Sequence, residues 1–319
     1  MIRNLVSFFI PLFFFSSIGF GKTPKKNPLL THPDFYMQLP DSSRYDAYTY
    51  FATEYSGDDL IETKATALLA LASLHKENYN YDLTVDYALQ AKDQFQKIND
   101  LRGVGVCYNL LGNVFMEVGN FQKSEEYYNA TADLAQTEKD TFALAIAYNN
   151  LAGLRYRKKA YKEAENFYYS SIKYFYQLNK DSLAIQTQLN LTSTVMETDP
   201  DRALELLNEC TDFFSKGTPS PGTKAFITGN LGAIYYRKND ANKAIEHYLK
   251  SIAISEAHDL KRVTLVNYTD ISEIYETVGD YKNAYDYQIL YDKVAEKYLE
   301  QINRRKIAEM EVKYEAEKK

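Results

Sequence analysis

Residues 148–156 read YNNLAGLRY. Two adjacent asparagines beside a Leu-Ala pair, with an arginine between Leu154 and Tyr156, have the polar content of an active-site loop. They also have helical spacing, and steps of 40 residues in both directions decide between the two readings. From Leu151 the column reads Leu71, Leu111, Leu151, Leu191, Leu231, Ile271. The next column, Ala72, Gly112, Ala152, Thr192, Gly232, Ser272, is small throughout. Three residues before the leucines stand Leu68, Tyr108, Tyr148, Gln188, Thr228, Tyr268. A second small column runs through Thr84, Ser124, Ala164, Ala244, Ala284, joined one residue early by Ala203. Four residues beyond it come Ala88, Tyr128, Tyr168, Leu207, Tyr248, Gln288. Copies in one register define an internal repeat. YNNLAGLRY is therefore a helix of the third copy, and Leu151 and Ala152 are packing residues.

Each copy reads as two amphipathic helices, because large and small residues recur at helical spacing. Small residues let two helix backbones approach, and large neighbours fill the space around them. Turn residues separate the helices at Gly119-Asn120, Lys159-Ala160, Asn239-Asp240 and Gly279-Asp280. In the fourth copy TDPDRA does this, with Asp199 as N-cap and Pro200 at the first helical position. The connection SKGTPSPGTKA at 215–225 is irregular, with Gly217 expected as a helix C′ residue. Arg155 stands where Phe115 and Tyr235 stand in other copies, so its stem is expected to pack and its head to reach solvent.

The segments YNLLGNVFMEVGNFQKSEEYY (108–128) and YTDISEIYETVGDYKNAYDY (268–287) resemble tetratricopeptide (TPR) repeats. The resemblance covers roughly residues 65–300, and the first and fourth copies depart from it, with His75 and Val195 where an aromatic is usual. It implies an all-α, right-handed solenoid of about six helix pairs with a 40-residue period. The expected organisation is a leader at 1–21, a linker at 22–40, an N-terminal capping helix at 41–60, the solenoid at 61–300 and a C-terminal helical extension at 301–319. A solenoid is quasi-one-dimensional, which displaces the two domains that length alone suggests.

The leader follows from Arg3, the apolar run Leu5–Phe15 and the small residues Gly19 and Gly21. That is the layout of a cleaved secretory signal, so a periplasmic or exported location is expected. The run is short for a membrane span and is interrupted by Pro11, and no later segment is apolar enough for one. A net charge of -6 with no long basic stripe gives nucleic acid no electrostatic footing. The four histidines are scattered and no metal-ligand spacing, P-loop or dinucleotide glycine pattern occurs, so no metal, cofactor or catalytic residue is expected. The two cysteines, Cys107 and Cys210, fall on helices two copies apart and are not expected to pair. Tyrosine reaches 29 while tryptophan is absent, so tyrosine takes the large aromatic positions.

The resemblance also implies a non-enzymatic module that binds a peptide or protein segment in a groove lined by first helices. The groove candidates are Asn109, Asn113, Asn149, Asn150, Asn190 and Asn230, with Tyr156, Arg157, Tyr236 and Arg237. An amide donates and accepts at once, which suits a peptide backbone, and an arginine suits a carboxylate. The alternative for the asparagines is a local bond between helices, and for the arginines a favourable place near a helix C-terminus. A scaffold in envelope assembly is a second functional reading. A peptide-signal receptor is a third, set against by the leader because such receptors work inside the cell. INRRKIAEMEVKYEAEKK (302–319) resembles the segment after the last repeat in TPR-containing sensor histidine kinases and regulators, whose membrane span and output domain are missing here. It implies a helix from Tyr281 to the late 310s that projects and pairs with a partner helix, including a homodimer; the alternative is a solvating helix that caps the last repeat.

Overall fold

A computed structural model describes residues 41–54, 60–215, 217 and 219–296; the leader, the linker and the extension at 301–319 lie outside the described residues. The described residues form helices and no strand. They are α1 (Asp41–Thr53), α2 (Leu60–Glu77), α3 (Tyr81–Lys97), α4 (Leu101–Glu117), α5 (Phe121–Thr137), α6 (Thr141–Arg157), α7 (Tyr161–Gln177), α8 (Asp181–Val195), α9 (Pro200–Ser215), α10 (Pro221–Arg237), α11 (Ala241–Ala257), α12 (Lys261–Thr277) and α13 (281–296). From Tyr81 to Asp181 the helix starts fall twenty residues apart, and after one early start at Pro200 the spacing resumes from Pro221.

The spacing comes from one turn used repeatedly. Tyr79, Asn99, Gly119, Lys139, Lys159, Asn179, Asn239, Asp259 and Gly279 take positive φ. In each such turn the helix end is closed twice. Asn99 N–H donates to Gln96 O at 3.1 Å and Asp100 N–H to Phe95 O at 2.9 Å; Gly119 and Asn120 repeat this on Met116 and Phe115. That is a Schellman closure, which satisfies the orphan carbonyls. The closing residue then caps the next helix. Asp100 Oδ1 accepts from Gly103 N–H at 2.9 Å, Asp140 Oδ1 from Ala143 N–H at 3.0 Å and Asp240 Oδ1 from Lys243 N–H at 3.1 Å. The fourth copy departs from this. Asp199 caps through Arg202 N–H at 3.0 Å, as expected. Gly217 N–H reaches Phe214 O at 3.1 Å, the C′ bond of the other turns, and α10 is begun by Ser220 Oγ accepting from Thr223 N–H at 3.1 Å.

The chain groups into two compact units whose boundary, Leu154/Arg155, falls inside α6. In the first, α1 packs on α2, and α2 to α5 pack in chain order, with α2 also meeting α4. Tyr48, Phe51 and Ala52 of α1 share a buried cluster with Leu68, Leu71, Phe95 and Leu111. In the second, α7 to α12 pack in chain order, and α8 meets α10, as α10 meets α12. The small column matters in both units. A Cβ on Gly112 would lie 2.5 Å from the Tyr128 ring and one on Gly232 2.7 Å from the Tyr248 ring. Both rings are fully enclosed.

A second packing device joins the helices of a pair. His75 stacks on Tyr87, Phe115 on Tyr127, Tyr235 on His247 and Tyr275 on Tyr287, always twelve residues apart, with ring centroids at 5.3 to 5.8 Å. Lys123 lies over Phe115 and Lys243 over Tyr235, each at 5.0 Å and eight residues on. Arg155 breaks the aromatic column, and its partner eight residues on is changed with it. Glu163 stands where Lys123 and Lys243 stand, and Arg155 Nε meets its Oε2 at 2.8 Å. The Arg155 head is thus held to a carboxylate on α7 and is largely buried, not directed into solvent.

His247 carries a pH consequence. Burial pushes its imidazole below the ordinary value; Lys250 and Lys243 add to that and Glu246 opposes it. Tyr235 covers one ring face, and Nδ1 is buried without a hydrogen-bond partner. With the folded value lowered, the unfolded chain binds the proton more readily. The contribution to stability is therefore intact above the ordinary histidine value of about 6.5 and is lost as pH falls below it. His247→Tyr, which copies Tyr127 and Tyr287, is expected to shrink the fall in thermal midpoint between neutral pH and pH values well below 6. An unchanged fall would assign it to other groups.

Candidate functional site

The first helices carry the candidate residues, and the structure separates them into two kinds. In the first unit Asn149 and Asn150 are fully buried, Asn113 is buried and Asn109 is half-buried. Asn150 Nδ2 donates to Asn109 Oδ1 at 2.7 Å and approaches Asn113 Oδ1 at 3.4 Å, while Asn149 Nδ2 donates to Asn150 Oδ1 at 3.1 Å. Tyr128 Oη donates to the same Asn113 Oδ1 at 2.7 Å. In the second unit Asn190 and Asn230 are buried, and Asn230 Nδ2 donates to Ser193 Oγ at 3.2 Å. The expectation that this column meets a ligand backbone gives way here to the alternative. The amides join successive first helices, because a buried amide is costly unless paired. Asp270, next in the column, likewise accepts from Tyr248 Oη at 3.0 Å.

The arginines divide similarly. Arg237 Nη2 pairs with Glu197 Oε1 at 2.5 Å, so its carboxylate comes from this chain. Glu197 Oε1 also accepts from Tyr156 Oη at 3.5 Å, and Tyr236 shares a hydrogen bond with Thr277 at 3.1 Å. Arg157 is exposed and forms no ion pair among the described residues. Of the candidate residues, Asn109 in the first unit and Tyr156, Tyr236 and Arg237 in the second are half-buried, and Arg157 is exposed.

One polar feature was not anticipated. Ion pairs and hydrogen bonds recur between successive copies at nearly one repeat of separation. Lys76 Nζ meets Glu117 Oε1 at 3.0 Å and Tyr81 Oη donates to Glu117 Oε2 at 2.7 Å. Arg202 meets the buried Glu165 at 3.0 Å, and Lys238 meets Asp201. The signal was available as opposite charges 37 to 41 residues apart, close to the repeat spacing. Among the described residues no group of three metal-ligating side chains occurs. Both cysteines are free and buried, and burial pushes the Cys210 thiol up to about 12, so it is inert as a nucleophile. No described helix is long and apolar enough to cross a membrane.

A tetratricopeptide-repeat family model matches residues 105–177, and a model of soluble NSF attachment protein, SNAP, matches residues 152–310. No protein of curated function shows a significant sequence match to the chain. Among solved structures, the apo form of RapI superposes with a TM-score of 0.70 at 12% identity, over 85% of this chain and 97% of that one. A Rap protein complexed with competence and sporulation factor gives 0.65 at 20% identity, over 85% and 74%. NprR in complex with its cognate peptide NprX gives 0.57 at 15% identity, over 90% and 84%. At these identities the likeness is one of fold. Paired helices in register, a small column against enclosed tyrosines and the family match over the second and third copies give the described residues a tetratricopeptide-like helical fold.

Proposed function

We propose that the chain is a binding module and not an enzyme, an exported adaptor or sensor that holds a peptide or protein segment against its first helices. The observation that carries this is Arg157, exposed and without an ion pair among the described residues, next in the chain to the half-buried Tyr156. A guanidinium so placed suits a carboxylate, and a tyrosine ring adds contact area at small entropic cost. Asn109 offers a comparable half-exposed amide in the first unit, with its Oδ1 already fixed by Asn150. A rigid donor or acceptor loses less freedom on binding than a mobile one. One structure of this fold, NprR with its cognate peptide NprX, is a peptide complex, which supports a peptide as ligand. The leader supports export.

Selection of peptides from a random library by the purified chain tests the reading, with affinity then measured by calorimetry. Arg157→Ala is expected to weaken a selected carboxylate-bearing peptide about 10-fold, as for loss of a charged hydrogen bond. Asn109→Ala tests the first unit in the same way. Unchanged affinity in both variants, with helicity intact, would move the site off the first helices. Fractionation of the tagged full chain tests export, and retention in the cytoplasm would favour an internal peptide receptor.

A further inference from the structure

The seam between one copy and the next is marked by four columns, two on a second helix and two on the first helix that follows. Between α3 and α4 they hold Ala91, Phe95, Val104 and Cys107, all buried in one apolar cluster. In the three copies that follow, the same columns always include a large apolar residue, Leu144, Phe175 or Phe214. Between α11 and α12 all four are polar: Ser251, Ser255, Thr264 and Asn267. None of these four is more than 4% exposed, so the seam is as closed as the apolar one.

Hydrogen bonds take the place of the apolar contacts. Asn267 Nδ2 donates to Ser251 Oγ at 2.7 Å, and Thr264 Oγ1 donates to Ser255 Oγ at 2.9 Å. Further along α12, Tyr268 Oη donates to the exposed Glu256, Asp270 accepts from Tyr248 Oη at 3.0 Å, and Thr277 shares a hydrogen bond with Tyr236 of α10 at 3.1 Å. Asn267 Oδ1 is buried and has no hydrogen-bond partner among the described residues. Such a seam holds weakly. Each group that loses a partner when the helices separate finds water instead, so the net contribution of each bond is small. Apolar side chains have no such substitute. The Asn267 oxygen gains a partner only on opening, which works against the closed seam. Within the sixth copy the packing is of the ordinary kind. Tyr275 stacks on Tyr287 at 5.8 Å, Tyr268 lies against the same ring at 5.7 Å, and Ser272 Oγ donates to Ala284 O at 2.8 Å. The weak plane therefore runs between the fifth and sixth copies and not through the sixth.

We propose that the sixth copy, α12 with α13, opens from α10 and α11 as one body in the native protein, turning on the connection at 258–260. An array whose copies touch mainly their neighbours widens at one seam without losing the packing of the others.

Native-state hydrogen exchange of the full chain, read by mass spectrometry, tests this. The slowest amides of α12 and of α13 are expected to exchange through one common opening, about 10-fold or more faster than those of α10 and α11. Equal protection in α11 and α12 would overturn the proposal. Fast exchange confined to α13 would be fraying of one helix and would overturn it equally. Two repacked pairs then test the cause. Ser251→Ala with Asn267→Cys copies Ala91 and Cys107, and Ser255→Ala with Thr264→Leu copies Ala135 and Leu144. Replacing both partners of a buried hydrogen bond by apolar groups is near neutral or stabilising. Each pair is expected to slow exchange in α12 and α13 about 10-fold while leaving α7 and α8 unchanged. The pairs are made separately, so one that fails to fold leaves the other, and the parent profile decides the opening without either. Unchanged exchange in a folded variant would place the weakness outside this seam and overturn the proposal.

Discussion

Gly112→Ala is expected to destabilise the protein by about 1–3 kcal/mol, the usual result of overpacking a tight core. The added carbon falls 2.5 Å from Tyr128 Cε1 and 2.6 Å from Cδ1, well inside contact distance. The ring has little room to retreat, since it is fully buried and its hydroxyl is tied to Asn113. Other copies pair these columns differently. Ala72 goes with Ala88 and Thr192 with Leu207, so a larger residue in the small column accompanies a smaller one in the tyrosine column. The third copy combines Ala152 with Tyr168; the cost at Gly112 is thus that of shifting a backbone built for glycine. The double variant Gly112→Ala with Tyr128→Leu should be less destabilised than the sum of its singles, with a coupling of about 0.5–3 kcal/mol. Denaturant unfolding of the four proteins measures this. Additivity within about 0.5 kcal/mol would show that glycine and ring do not constrain each other.

That pair also shows why the fold was legible in the sequence. Close approach of two helices leaves a column of small residues facing a column of large ones, and both recur because the same interface is built again and again. The turns were legible for a similar reason: Gly119-Asn120 and Asn239-Asp240 supply a residue tolerant of positive φ followed by a capping side chain. Tyr79, Lys139 and Lys159 adopt the same conformation without any special tolerance for it, and only the spacing marks them.

The binding side was less legible, and Arg155 and Arg237 show why. Each was read as a single residue, yet its meaning lies in a partner. Glu163, eight residues on, replaces the lysine that covers an aromatic in other copies. Glu197, one repeat back, neutralises Arg237. Electrostatics between copies is thus written in pairs, whereas apolar packing is written in columns. Arg157 is the guanidinium proposed for a ligand because its column mates Glu117, Glu197 and Arg237 are engaged within the chain.

The same distinction sets the expected behaviour of the asparagines. Asn150→Ala should cost about 1–3 kcal/mol, the penalty for leaving buried polar partners unsatisfied. Asn150 receives the Asn149 amide at 3.1 Å and donates to Asn109 at 2.7 Å, and the side chains of both Asn149 and Asn150 are shut off from water. Water cannot replace the lost oxygen for Asn149. Asn113 keeps the Tyr128 hydroxyl but loses its neighbour at 3.4 Å, so the disturbance extends toward the Gly112–Tyr128 contact. Asn109→Ala removes one acceptor at a half-buried position where water can enter, and its effect on stability should stay within about 1 kcal/mol. Thermal and denaturant unfolding of the two variants therefore rank Asn150→Ala well below Asn109→Ala. Weaker peptide binding by Asn150→Ala would then report lost rigidity behind the face, and only Asn109→Ala would report contact. If the two variants proved equally stable, Asn150 would not be holding the helices together, and the column would again be open to a ligand.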